Sequence, residues 1–316
     1  MLTEVLSQTI FSLSLAFLIA VSSVCTIQAQ STDSLVLNVT VTNPKGVVIR
    51  GLTMENFSVV ADKQEQKILS LTDREVPASV GILIDDSGSQ YISKSDPAHK
   101  IRTQFRDGLE RFFQLTNPAN EYFLVSFNSK VQLLQDWTSD PRAVVEKLDS
   151  LTFKKPTSMY DAIQLGVEKV KTGRNSKHVL ILISDGVDTN SKIEFKEARD
   201  LLKASDVLLY CVWINFVPVG DTATSPYVEG PNILNEFSVN SGGRGLFMNE
   251  ASGEKAFREM FELIALELRT QYQLVIAPEH FGGKAKWRRI KVNAIRVDAA
   301  RPAEPLVPRT RQWYYR

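Results

Sequence analysis

The chain has 316 residues, 43% hydrophobic and 23% charged, a globular balance that excludes a disordered polymer and accommodates one large or two modest domains. Its 37 basic and 36 acidic side chains sum to a formal charge of +1, so no overall field draws it toward nucleic acid or an anionic membrane.

At the start, Ile10 to Val24 is an apolar run of about fifteen residues that gives way to polar Gln28, Gln30 and Ser31. A spanning helix needs about 20 residues, so the run predicts a signal peptide over residues 1–30 and an exported protein, periplasmic, cell-surface or secreted. The flank before it holds Glu4 and no Lys or Arg, and an uncleaved anchor tethering the same protein to a membrane is the alternative. Cleavage near Ala29 removes Cys25 and leaves Cys211 alone, which predicts no structural disulfide.

Residues 31–75 alternate in short runs, Leu35 to Val41, Val47 to Ile49 and Phe57 to Val60, with Pro44-Lys45-Gly46 as a turn, and predict β-strands. Across residues 76–269 the pattern becomes continuous apolar runs separated by helical periodicity. The runs are Val80 to Ile84, Tyr122 to Phe127, Val179 to Ile183 and Val207 to Trp213, as expected of parallel strands covered on both faces. Ile101, Phe105, Leu109 and Phe112 form one apolar helical stripe, Met159, Ile163, Val167 and Val170 a second, and Phe257, Phe261, Ile264 and Leu268 a third. Cys211 lies inside the fourth strand and reads as a small buried hydrophobe. Phe216 to Pro231, rich in proline and glycine, predicts a surface loop.

Residues 270–316 return to strand patterning, with Tyr272 to Ile276, a Gly282-Gly283 turn, Arg289 to Asn293, and Trp313 to Tyr315 as a final strand. Few-stranded pieces bury too little to stand alone, so the two ends are expected to pair into one small β domain. The fold class is therefore α/β, a doubly wound, mainly parallel sheet with a small β domain built from both termini.

Chemistry concentrates where the central strands end. Ile84-Asp85-Asp86-Ser87-Gly88-Ser89 delivers a carboxylate and two hydroxyls to the carboxyl edge of a parallel sheet, where open α/β sheets bind ligands. Ile183-Ser184-Asp185-Gly186 delivers a second carboxylate to the same edge, and Pro156-Thr157-Ser158 precedes the second helix. Oxygen-only ligands suit a hard cation, Mg²⁺ or Mn²⁺. Asp85-x-Ser87-x-Ser89, Thr157 and Asp185 resemble, in order and spacing, the metal-ion-dependent adhesion site of von Willebrand factor type A domains. The resemblance implies Ser87, Ser89 and Thr157 as direct ligands, Asp85 and Asp185 holding coordinated water, and an open position for an acidic residue of a protein partner. Asn56-Phe57-Ser58-Val59 and Arg289-Ile290-Lys291-Val292 further resemble the bacterial subfamily labelled VWFA-related.

A lone Asp-x-Ser-x-Ser is ordinarily a loop with Asx-turn bonding, and it is the addition of Thr157 and Asp185 that points to metal. Asp86 and Asp188 read as solvated turn residues, and Asp161 as a first-turn carboxylate favoured by helix N–H groups. His99, His178 and His280 have no metal spacing. The expected function is a cation-dependent protein-binding module and not an enzyme, with no nucleic-acid partner. The alternatives are a Mg²⁺-dependent phosphohydrolase or phospho-acceptor using Asp85 or Asp86, and a structural subunit with a stabilising cation. The chain has Asp85-Asp86-Ser87 where a haloacid-dehalogenase-type enzyme needs Asp-x-Asp, and it lacks a Gly-x-Ser-x-Gly elbow, a His-Glu-x-x-His helix and a phosphate-binding loop.

Overall fold

The computed structural model describes residues 34–87, 97–152, 156–214, 229–248, 255–277, 287–298 and 301–315. The predicted signal segment, Gly88, Ser89 and the Gly282-Gly283 turn lie outside the described residues.

The amino-terminal strands are β1 (Leu35–Thr42), β2 (Phe57–Ala61), β3 (Gln64–Gln66) and β4 (Ile68–Thr72). The α/β part follows with β5 (Ala78–Asp85), α1 (Pro97–Leu115), β6 (Glu121–Phe127), β7 (Val131–Thr138), α2 (Pro141–Glu146) and α3 (Met159–Val170). It continues through β8 (Lys177–Ser184), α4 (Phe195–Ala204), β9 (Leu208–Ile214), α5 (Gly230–Ser241), β10 (Gly245–Met248) and α6 (Lys255–Thr270). The chain closes with β11 (Tyr272–Ile276), β12 (Trp287–Asp298), β13 (Arg301–Pro305), β14 (Val307–Arg309) and β15 (Trp313–Tyr315).

A six-stranded sheet in the order β10-β9-β8-β5-β6-β7 forms the centre, parallel throughout except for β7, which runs antiparallel to β6 at one edge. Every residue of β5 and β6 is buried, as expected of strands covered on both faces. One face packs Val80, Ile82 and Ile84 against Phe105, Leu109 and Phe112 of α1 and Phe257, Phe261 and Ile264 of α6. The other packs Leu83, Phe123 and Leu182 against Met159, Ile163 and Val167 of α3 and Phe237 of α5. Each such side chain contributes roughly 1.5–3 kcal/mol by leaving water. Phe105, Leu109 and Phe112 of the first apolar stripe and all of the other two thus face the core, and Cys211 is fully buried within β9.

The terminal strands share two antiparallel sheets, β14-β1-β11-β4 and β13-β12-β2-β3, with β15 also paired to β12. Val39 on β1 is opposite Tyr272 on β11, and Val59 on β2 is opposite Val292 on β12, so sequence-distant segments close one apolar interior. The segments resembling the outer motifs, Phe57 to Val59 and Ile290 to Val292, therefore lie on two paired strands. Val47 to Ile49 departs from expectation: it makes only an isolated bridge between Thr42 and Val48. Gly230 and Pro231, expected in a loop, instead begin α5, with proline in the first turn where its missing N–H costs nothing.

Candidate metal centre at the carboxyl edge of the sheet

Parallel pairing sets the site. β5 and β8 align Ile84 with Ile183, which brings Asp85 beside Ser184 and next to the loop that begins at Asp185. Asp85 is wholly buried. Its Oδ1 accepts a hydrogen bond from the Ser87 N–H at 2.9 Å, and its Oδ2 accepts one from the Ser184 hydroxyl at 2.7 Å. Burial, and after it the charge of Asp185, pushes the Asp85 carboxyl up to about 8, against the opposing pull of hydrogen bonds from Ser87 and Ser184. Among the described residues, no basic side chain is one of the groups that set its ionisation.

Asp185 is also buried, and its Oδ1 accepts the Val187 N–H at 2.9 Å. The turn behind it is tight. Gly186 has φ of +81°, and a Cβ there would meet the Gly230 carbonyl oxygen at 2.5 Å. Trp213 Nε1 donates to the Asp185 carbonyl at 2.9 Å, so β9 and the start of α5 fix this loop.

Thr157 reaches the same edge through its backbone. Its N–H donates to Thr189 Oγ1 at 3.0 Å, and its carbonyl accepts the N–H groups of Thr189 and Asn190, both at 2.9 Å. The Thr157 side chain is buried. Asp188 completes this arrangement. Its Oδ1 accepts the Met159 N–H at 2.7 Å, the Tyr160 N–H at 3.2 Å and the Ser191 hydroxyl at 2.6 Å, so a carboxylate from the loop after β8 caps α3.

Of the five residues expected to bind metal, Asp85, Ser87, Thr157 and Asp185 are buried at this edge, and Ser89 lies outside the described residues. Asp86 is buried rather than solvated. Its Oδ1 accepts the Thr152 N–H at 2.6 Å and its Oδ2 accepts the Thr152 hydroxyl and Asn128 Nδ2, which locks the loop before α3 to the β6–β7 turn. Asp161 uses its carboxylate on the Lys192 and Ile193 N–H groups instead of on its own helix. Ser184 and Asp188 escape sequence reasoning: Ser184 is adjacent to a predicted ligand, but nothing local reveals that Asp188 caps a helix 29 positions earlier.

The donor set is oxygen throughout, two buried carboxylates with serine and threonine hydroxyls, which fits a hard divalent cation. Among the described residues no cluster of three or more His, Cys, Asp or Glu side chains offers a different site.

Residues 80–187, from β5 through the Asp185 loop, match the family model of the von Willebrand factor type A domain. The chain carries a von Willebrand factor type A domain. Similar solved structures include the PilB minor pilin from Streptococcus sanguinis, 12% identical, with a TM-score of 0.50 over 62% of this chain and 62% of that one. The von Willebrand factor domain of the type V pili tip protein Mfa5 from Porphyromonas gingivalis is 12% identical, with a TM-score of 0.49 over 61% of this chain and 97% of that one. A von Willebrand factor type A protein from Catenulispora acidiphila is 13% identical, with a TM-score of 0.48 over 81% and 72%. At these identities the likeness is one of fold, and this chain spans less than two thirds of the PilB structure. No curated protein matches the sequence. Among the described residues no helix is long and apolar enough to cross a membrane.

Proposed function

We propose that the von Willebrand factor A domain of this chain is a divalent-cation-dependent protein-binding module that captures an acidic side chain of a partner. The reading rests above all on Asp85, buried at the end of β5 beside a second carboxylate, with hydroxyls and one amide as its hydrogen-bond partners. A buried anion costs several kcal/mol unless it is compensated, and a cation at this edge supplies the compensation. Ser87, Ser89 and Thr157 would hold Mg²⁺ or Mn²⁺ directly, with Asp85 and Asp185 orienting its water. Because hydroxyls quench positive charge less than carboxylates do, the bound cation would stay electrophilic enough to take a carboxylate from another molecule.

The residues themselves divide the work. Ser184 and the Ser87 N–H orient Asp85, Asp86 holds the β6–β7 turn and the loop before α3, and the Asp188 cap holds Thr157 in register with Asp185. An Asp86 nucleophile is disfavoured because its carboxylate is engaged by Thr152 and Asn128. The PilB minor pilin shares the fold, in keeping with a module that assembles or adheres at the cell exterior. We further read residues 76–269 as this domain, inserted between residues 31–75 and 270–316, and residues 1–30 as an export signal.

The test is calorimetric titration of the metal-free protein with Mg²⁺ and Mn²⁺, alongside Asp85→Ala and Ser87→Ala. Saturable binding lost in both variants with the fold intact supports the site. Binding unchanged in the variants, or absent from the parent, refutes it. If Mg²⁺ raises the melting temperature but no acidic peptide binds the loaded protein, the cation is structural.

A further inference from the structure

An open cavity of about 950 Å³ lies away from the metal edge, in the β region built from the two termini. Its lining includes Lys63, Arg289, Lys291, Val292, Arg309 and Thr310. Three observations give it a chemistry.

The first is a gap in hydrogen bonding. On one side β12 pairs with β15 only as far as Arg289 and with β13 only from Ile295 onward. The Ile290 N–H donates to the Gln312 carbonyl and the Ala294 carbonyl accepts the Leu306 N–H, so residues 290 and 294 both face that side. By the two-residue alternation of a strand, the Val292 N–H and carbonyl face it too. There the chain opposite has swung away, because residues 307–309 pair with β1 instead.

The second is a set of buried donors. Arg309 Nε and the Thr310 hydroxyl are both buried without a hydrogen-bond partner. Buried donors normally find an acceptor, and leaving one unmet costs roughly 1–3 kcal/mol.

The third is surplus positive charge. Glu267, 1% exposed, is shared by two guanidiniums, Arg244 and Arg309 Nη2, so one carboxylate faces two cations. Lys63, Arg289 and Lys291 form no ion pair among the described residues, and the acidic group in the lining, Asp62, is engaged by Arg288 and the Arg289 N–H.

We propose that this cavity accepts a carboxylate carried on an acidic peptide segment of a partner. Arg309 Nε, the Thr310 hydroxyl and the Val292 N–H are the donors, and Lys63, Arg289 and Lys291 draw the segment in. An acceptor-only group with several lone pairs matches donors of this kind, and flanking acidic residues match the surrounding cations. This site is independent of the metal edge.

The experiment titrates the full chain with hexaglutamate in EDTA, which keeps any cation site out of the measurement, and compares glutarate and inorganic phosphate at constant ionic strength. Lys291→Glu alters an exposed side chain, and Thr310→Val removes a hydroxyl while keeping the shape. Both should melt as the parent does, with Lys63→Glu as a further surface variant. Saturable hexaglutamate binding, weakened about tenfold by Lys291→Glu and by Thr310→Val, is the expected result. Absence of saturation, parental affinity in the variants, equal affinity for glutarate, or equal displacement by phosphate would each overturn the proposal.

Discussion

At the amino edge of the parallel sheet, Lys177 is buried and its Nζ donates to the Leu268 carbonyl at 2.6 Å, in the last turn of α6. Burial pushes this ammonium down to about 7, with Glu75 pulling the other way. At the carboxyl edge, burial and Asp185 push Asp85 up to about 8. Burial disfavours the charged form at both edges. At the amino edge the partners belong to the fold: a helix carbonyl for Lys177, and Arg269 for one oxygen of Glu75. The carboxyl edge supplies Asp85 with neutral donors and a second carboxylate, and the proposed cation would bring the opposite charge.

The comparison can be broken at its structural end first. Glu267→Ala removes the buried carboxylate between Arg244 and Arg309 and should cost about 3 kcal/mol in urea unfolding, because two cations lose their partner. A loss under 1 kcal/mol would mean that the junction is not held by charge.

Next in size is Asp85→Asn, which keeps the shape and removes the anion. Mg²⁺ affinity should fall by about 10- to 100-fold while metal-free stability at pH 8 holds or rises. Lower stability without metal would show that the carboxylate is structural. Asp188→Ala takes the cap from α3 and should cost roughly 1–2 kcal/mol in thermal unfolding. It should also weaken Mg²⁺ binding, since Thr157 hangs from the same loop; unaltered affinity would separate the cap from the site.

The two edges also predict opposite pH dependences. Asp85 has a folded value near 8, above its unfolded 3.8, so its contribution to metal-free stability is complete below about pH 4 and lost as pH rises through 8. Lys177 has a folded value near 7, below its unfolded 10.5, so its contribution is present above 10.5 and lost as pH falls through 7. Denaturant unfolding from pH 4 to 10 should show the first slope vanish in Asp85→Asn and the second in Lys177→Met. Mg²⁺ affinity should climb toward pH 8 as Asp85 ionises. The smallest effect belongs to the surface: the exposed pair Arg106–Asp149, broken by Arg106→Ala, should shift stability by no more than about 0.5 kcal/mol.

Much of this was legible in the pattern of residues. Strands β5, β6, β8 and β9 appear within two residues of the apolar runs that predicted them, because a strand buried on both faces has to be apolar almost throughout. The edge strand β7 was not legible: its mixed exposure leaves neither alternation nor a continuous apolar run. The short β3, β13 and β14 were missed for a related reason, since three to five residues carry little periodicity, and β14 in addition pairs with the sequence-distant β1. Asp86 shows the limit for polar residues, since an acidic residue in a loop reads as solvated until the loop that covers it is known.

The chain alone determined that four apolar strands alternate with amphipathic helices, and that carboxylates and hydroxyls follow the strands that begin at Ala78 and Lys177. Those are local properties, set by side-chain period and by chain order. Tertiary structure decided which groups are complete and which are not. Only the register of β5 on β8 brings Ser184 to Asp85, only the loop after β8 caps α3, and only the departure of residues 307–309 toward β1 leaves Val292 facing a cavity. Each depends on groups distant in sequence meeting in a space without water, where a hydrogen bond made or missing changes the energy of a charge by more than any local preference can.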